Sequence, residues 1–200
     1  AMDSIGPYFF VALRFAVATL TMLPLAIREC IKAERTLGIN EILKFGLIGV
    51  MLFLGMAAQQ RGLMTSSVTN AGFLTALYII MVPLLGIMMF RQLPHPVIWP
   101  AAAAALAGIF LLSGGKLDAM VPGDQLIIVC AFFWALQILL INRYANETGL
   151  PVTMAVTQFA VTAFLAMLMA LSFERLDWSA VILASPEILF AGVFEGALAF

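Results

Sequence analysis

Between Pro7 and Ile27 the chain reads PYFFVALRFAVATLTMLPLAI, an apolar run of the length, about 20 residues, that a helix needs to cross a bilayer. No other feature limits the fold so strongly. In lipid, every backbone amide and carbonyl must find its partner within the protein, so only helices and closed barrels can span. Comparable runs recur at about 45–64, 68–90, 97–113, 124–142, 152–173 and 186–200. Barrel strands alternate in polarity over about ten residues, and LTALYIIMVPLLGIMMF shows no alternation. The expected fold is all-α, a polytopic transmembrane helical bundle.

Composition supports this. The chain is 64% hydrophobic and 10% charged, against about 45–50% apolar and about 25% charged in soluble domains. With a net charge of −1 it offers no electrostatic footprint for nucleic acid. Cys30 and Cys130 lie far apart and His95 is the only histidine, so no metal site, disulfide or cofactor is expected.

The Lys and Arg residues between spans set the orientation. Arg28, Lys32, Arg35, Lys44, Arg91 and Arg143 follow spans one, three and five, while Arg61, Lys116 and Arg175 lie on the other side. The first group is expected in the cytoplasm. The first span then enters from outside.

The chain also repeats itself. LRFAVATLTMLPLA (13–26) aligns with TQFAVTAFLAMLMA (157–170) at an offset of 144, and IGVM (48–51) with AGVF (191–194) at 143. Counting from one copy to the next gives five spans, an odd number, so the copies lie upside down relative to each other. Inverted repeats mark secondary transporters, whose site lies near mid-membrane between the halves. The counterpart of the 124–142 span would precede residue 1. On this count the chain is an internal fragment holding seven of ten spans, with one helix expected upstream and two downstream.

Taken in order, these segments resemble the drug/metabolite transporter superfamily, specifically its ten-span EamA-type exporters. GPYFFVALRFAVATLTMLPL is similar to the second helix of the family. QQRGLMTSSVTNAGFLTALYIIMVPLLGIMMF is similar to the hairpin of helices three and four, with its mid-helix proline. PAAAAALAGIFLLSGG resembles the fifth helix and GDQLIIVCAFFWALQILLINRYA the sixth. Where many members carry a Glu after the fourth helix, this chain has FRQLPHP. The resemblance implies two EamA-type repeats, residues 1–115 lacking the first helix and 116–200 lacking the last two. It also implies secondary transport of small metabolites across a cytoplasmic membrane, often outward.

Several polar residues inside the spans are candidates for a site. Arg14 shares a helix face with Ala18 and Thr21, and Gln158 with Thr162 occupies the matching place in the second copy. An intramembrane Arg costs about 2.5–3.5 kcal/mol on translocon scales, so Arg14 either snorkels to the interface or serves a cavity. Glu195 lies mid-span with Ala191, Gly192 and Ala199 on its face. It is a candidate proton carrier, although Gly192-xxx-Gly196 equally suits close helix packing. Gln59 and Gln60 close the 45–64 span, and Asn70 follows the short hairpin. They face a cavity or bond at the interface. Thr75 and Tyr78 share a face, with Pro83 kinking the helix beyond them. Trp134 and Gln137 are one turn apart, with Cys130 on the same face, and fit ligand contact or helix packing.

The leading function is alternating-access export of a small organic metabolite, amino acid or drug-like solute across the cytoplasmic (inner) membrane. Glu195 would exchange a proton for substrate, Arg14 and Gln158 would orient polar groups, and Tyr78 and Trp134 would supply apolar walls. A channel or non-transporting scaffold is the alternative; saturable kinetics separate it from a carrier. An enzyme is not expected, because the one histidine is in a loop and Ser66 and Ser67 lack a base. The expected partners are a small-molecule substrate, the lipid bilayer and protons, with a homodimer allowed.

Overall fold

The fold was analysed in a computed structural model that describes residues 6–34, 37–91, 93–112, 116, 118–174 and 185–198, the side chains of 195–198 excepted. Arg35, Arg175, the side chain of Glu195 and the expected repeat boundary at residue 115 lie outside the described residues. Every regular element among the described residues is an α-helix. They run α1 (Pro7–Lys32), α2 (Ile39–Leu63), α3 (Val68–Thr75), α4 (Tyr78–Phe90), α5 (Ile98–Leu112), α6 (Pro122–Thr148), α7 (Pro151–Phe173) and α8 (Ser185–Leu198).

Three helices overrun the apolar runs that announce them. α1 continues to Lys32, whose positive charge favours a helix C-terminus. α2 begins at Ile39 because Glu41 turns back to accept from the Gly38 amide at 3.0 Å, which closes its first turn. α6 continues to Thr148, where Arg143 Nε meets Glu147 Oε1 at 3.0 Å, one turn on. Hydropathy marks the lipid-crossing length, and capping marks the helix.

The 68–90 run differs more. It is interrupted at Ala76–Leu77, one turn before the place where Pro83 alone would put the irregularity, and Pro83 itself lies inside α4. The amides of Leu77, Ile79 and Ile80 donate three residues back, to Leu74, Ala76 and Leu77, at 3.0–3.2 Å. This 3₁₀-like tightening takes up the adjustment before the proline ring is reached.

Among the described residues, five segments are long and apolar enough to cross a membrane: Pro7–Lys32, Ile39–Leu63, Val68–Phe90, Pro122–Thr148 and Pro151–Phe173. α5, with 15 residues, rises only about 22 Å, against about 30 Å of hydrocarbon. Leu20, Leu25, Leu111 and Phe164 are among many large apolar side chains left on the outside, as lipid-facing surfaces require.

Packing divides the chain into two units, residues 1–53 with 141–200 and residues 54–140. The first is built on α1 and α7. Ala18, Thr162, Ala166 and Ala170 are wholly buried there, and these small groups let two backbones approach. The Phe15 and Phe159 rings meet at 5.5 Å. α8 packs on α1 through Gly192, where a Cβ would lie 2.6 Å from the Arg14 carbonyl oxygen and 2.7 Å from Val17 Cβ. That is the packing role of the Gly192-xxx-Gly196 pattern, realised at its first glycine. In the second unit Ala71, Leu74 and Ile127 form a core with Phe73, Leu77 and Ile128 against it. Phe73 also meets Phe110 of α5 edge-on at 6.1 Å.

Candidate functional site

The α3–α4 interruption in the 54–140 unit sets the geometry of the candidate site. Thr75 ends α3 and Tyr78 begins α4, so both flank the break. The Tyr78 ring meets the Trp134 indole of α6 edge-on, with centroids 6.2 Å apart and planes at 64°. Gly55 of α2 lies under that indole: a Cβ there would come within 2.4 Å of Trp134 Cδ1 and 2.6 Å of Nε1. The absent side chain at residue 55 makes the indole's room. Thr75 Oγ1 and Trp134 Nε1 are both buried and have no hydrogen-bond partner. An indole N–H can only donate, whereas a hydroxyl donates and accepts. Leaving such a group unpaired costs about 1–3 kcal/mol, so two beside one aromatic pair point to a missing partner.

Of the other predicted residues in this unit, Gln59 and Gln137 are half-buried and Gln60 is buried. Gln137 follows Trp134 by three residues on the same helix. Asn70 is used differently. Its Oδ1 accepts from the Asp118 amide at 3.0 Å, and its Nδ2 donates to the Asp118 carbonyl at 3.2 Å and to Asp124 Oδ2 at 3.1 Å. Three of its roughly four bonding positions thus hold the 118–124 segment.

Asp124 went unnoticed in the sequence because it opens an apolar run and reads as a simple boundary. It is fully buried. Ser66 Oγ donates to Oδ1, and Oδ2 accepts from Asn70 and from the Val121 amide at 2.9 Å. The local signal was the sequence PGD, with proline at the first helical position and an acid two residues on, where it can reach back to cap α6.

The 1–53/141–200 unit holds the other three predicted residues, Arg14, Gln158 and Glu195, the last with its side chain outside the described residues. The Arg14 guanidinium carbon lies 5.7 Å from the Phe10 ring centroid and 5.1 Å from that of Phe15, within cation–π range. Gln158 is buried. One turn on, Thr162 Oγ1 donates to the Gln158 carbonyl at 2.8 Å and lies 3.1 Å from that of Gly49.

The ends of α1 and α7 carry a second feature the sequence hid. Glu174 accepts from the Tyr8 and Phe9 amides, each at 2.8 Å. Glu29 accepts from the Val152 and Thr153 amides at 3.1 and 2.7 Å and from Thr153 Oγ1 at 2.6 Å. Each helix therefore caps the start of the other, and the two run antiparallel. Partners 123–166 residues apart leave no local signature. Among the described residues, no three His, Cys, Asp or Glu side chains gather as metal ligands.

Comparison with known proteins places this geometry. A family profile for EamA-like transporters matches residues 1–114. An uncharacterized transporter of Archaeoglobus fulgidus is 28% identical over 177 residues, which cover 87% of this chain and 53% of the relative. The chain thus spans about half the length of the curated relative it matches. A solved crystal structure shares the fold at a TM-score of 0.72 and 20% identity, over 94% of this chain and 66% of its own. The chain is a multi-pass, all-helical membrane protein and belongs to the EamA-like transporter family.

Proposed function

We propose that the protein takes part in alternating-access export of a small organic solute across the cytoplasmic membrane, and that Thr75, Tyr78 and Trp134 contact the solute. The observation that carries this reading is the pair of buried, unpartnered polar atoms, Thr75 Oγ1 and Trp134 Nε1, beside the Tyr78–Trp134 ring contact at a helix break. Discontinuous helices build the sites of many secondary transporters. Such a place suits a solute with a flat apolar part and a hydrogen-bond acceptor.

Two inverted EamA-type repeats complete the reading, residues 1–115 lacking the first helix of the repeat and 116–200 lacking the last two. Its support is the antiparallel α1–α7 pair, in which the Phe15 and Phe159 rings meet at a tilt, at the 144-residue offset that also relates Pro7 to Pro151. Arg14 and Gln158 in one unit, and Gln59, Gln60 and Gln137 in the other, are proposed as further polar residues for the solute. Glu195 is the proposed proton carrier.

The test has two stages. A thermal-shift screen of neutral and zwitterionic metabolites on purified protein selects probes. Flux of the radiolabelled hits is then measured in vesicles with and without an imposed pH gradient. Saturable flux that the gradient alters fits the whole reading. Saturable flux indifferent to the gradient removes proton coupling and leaves transport, and non-saturable flux favours a channel.

A further inference from the structure

The reciprocal carboxylate caps on α1 and α7 match position by position. Pro7 and Pro151 each occupy the first helical position, behind Gly6 and Leu150. The next two amides, of Tyr8 and Phe9 in one helix and of Val152 and Thr153 in the other, are the ones the carboxylates take. The first amides of a helix lie beyond the reach of its regular backbone bonding, and each partially positive terminus favours an anion. The two caps are about 30 Å apart along the helix axis, yet both are closed in one structure.

Between them the interface is filled. Ala18, Thr162, Ala166 and Ala170 are fully buried, Met22, Ala26 and Val156 pack together, and Phe15 lies on Phe159. Parting the helices at either end would break two amide-to-carboxylate hydrogen bonds at once, and bonds to an ionised group are stronger than neutral ones. A gate must open at one face or the other, and nothing in this pair favours opening at either.

We infer that Glu29 and Glu174 are positioning residues that bind α1 and α7 into one strut, closed at both ends throughout the transport cycle. The inference rests on the transport reading only for there being a cycle. Arg14 and Gln158 then keep a fixed register on their helices, and access to the solute changes through movement of other helices.

Hydrogen exchange of the full chain in lipid nanodiscs tests the strut without any substrate. First-turn amides ordinarily exchange fast, so protection at Tyr8, Phe9, Val152 and Thr153 reports the caps directly. Glu29→Gln should speed exchange at Val152 and Thr153 by about tenfold or more and leave Tyr8 and Phe9 unchanged, and Glu174→Gln should do the reverse. Cys30 Sγ lies 3.4 Å from Thr153 Oγ1, so T153C can form a disulfide with Cys30 across the first cap. Oxidising E29Q/T153C should restore slow exchange, a rescue that no loss of local packing would show. Fast exchange at either pair in the unaltered protein, or no effect of both glutamine variants, overturns the strut.

Labelling then separates strut from gate. T75C in a Cys130→Ala, T153C protein should react with impermeant maleimide from both faces, whether or not the Cys30–T153C disulfide is formed. Loss of labelling from one face on oxidation makes the pair a gate and overturns the inference. If T75C reacts from neither face even when reduced, the proposed solute site fails, while the exchange result still decides the strut.

Discussion

In the α1–α7 pair, Thr162 Oγ1 reaches two carbonyls and each terminal carboxylate takes two amides, whereas beside the α3–α4 break Thr75 Oγ1 and Trp134 Nε1 have no partner. Thr162 is fully buried and hydrogen-bonded, whereas Thr75 and Trp134 are half-buried residues whose polar atoms are buried without a bond. Fully paired polar groups rigidify the elements that hold them, while unpaired ones are costly in a low dielectric and persist where something else completes them. The first set of groups has the chemistry of a scaffold, and the second is where solute contact is proposed. Substituting residues in each should therefore move different quantities: stability in the first, flux in the second.

The largest effect should come from a third network, which belongs with the scaffold in chemistry. Asp124 accepts from Ser66, Asn70 and the Val121 amide while fully buried. Asp124→Ala removes the acceptor of the Val121 amide and one bond each from Ser66 and Asn70, which keep the Ser67 and Asp118 carbonyls. The expected result is a several-fold fall in monodisperse protein after detergent extraction, with Asp124→Asn falling less because one acceptor oxygen remains. Equal yields from Asp124→Ala and the unaltered chain would show that the network holds nothing.

Gly55→Val comes next. Its side chain would occupy the space of the Trp134 indole, where even a Cβ comes within 2.4 Å of Cδ1. Overpacking of this kind costs about 1–3 kcal/mol, and the displaced indole should change its fluorescence maximum. Flux should fall more than stability does. Unchanged emission would mean that the indole does not depend on the missing side chain.

Much of this contrast was legible in the sequence, and the remainder was hidden for physical reasons. Length and hydropathy marked the crossing helices because lipid imposes one requirement on every residue of a span. Tyr78 and Trp134 stood out as candidate lining residues because the chain has only three Tyr and three Trp and a mid-span position lies away from the headgroup belt. The Glu29 and Glu174 caps were not. A glutamate at a helix end looks like interfacial charge until a partner more than a hundred residues away is known to lie beside it. The position of the break at Ala76–Leu77 escaped for the opposite reason. Pro83 is a strong local signal, and it drew attention one turn too far along the chain.

The smallest stability changes separate the two regions most sharply. Thr162→Val removes a hydroxyl that is hydrogen-bonded in a fully buried place, and should lower stability by about 1 kcal/mol with flux unaffected. Thr75→Val makes the same chemical change where the hydroxyl has no partner. Nothing bonded is lost and an unsatisfied group disappears, so stability should stay within about 0.5 kcal/mol or rise. Flux of a probe chosen in the thermal-shift screen should drop about tenfold, the equivalent of one hydrogen bond of roughly 1.4 kcal/mol to the solute. Valine keeps the shape of threonine, so a packing explanation predicts no change in either quantity at residue 75. A destabilised Thr75→Val with normal flux would give this hydroxyl a structural partner and remove it from the site. Paired melting curves and initial rates for the two valine variants are enough to decide, because the opposite pattern at the two positions is what the contrast requires.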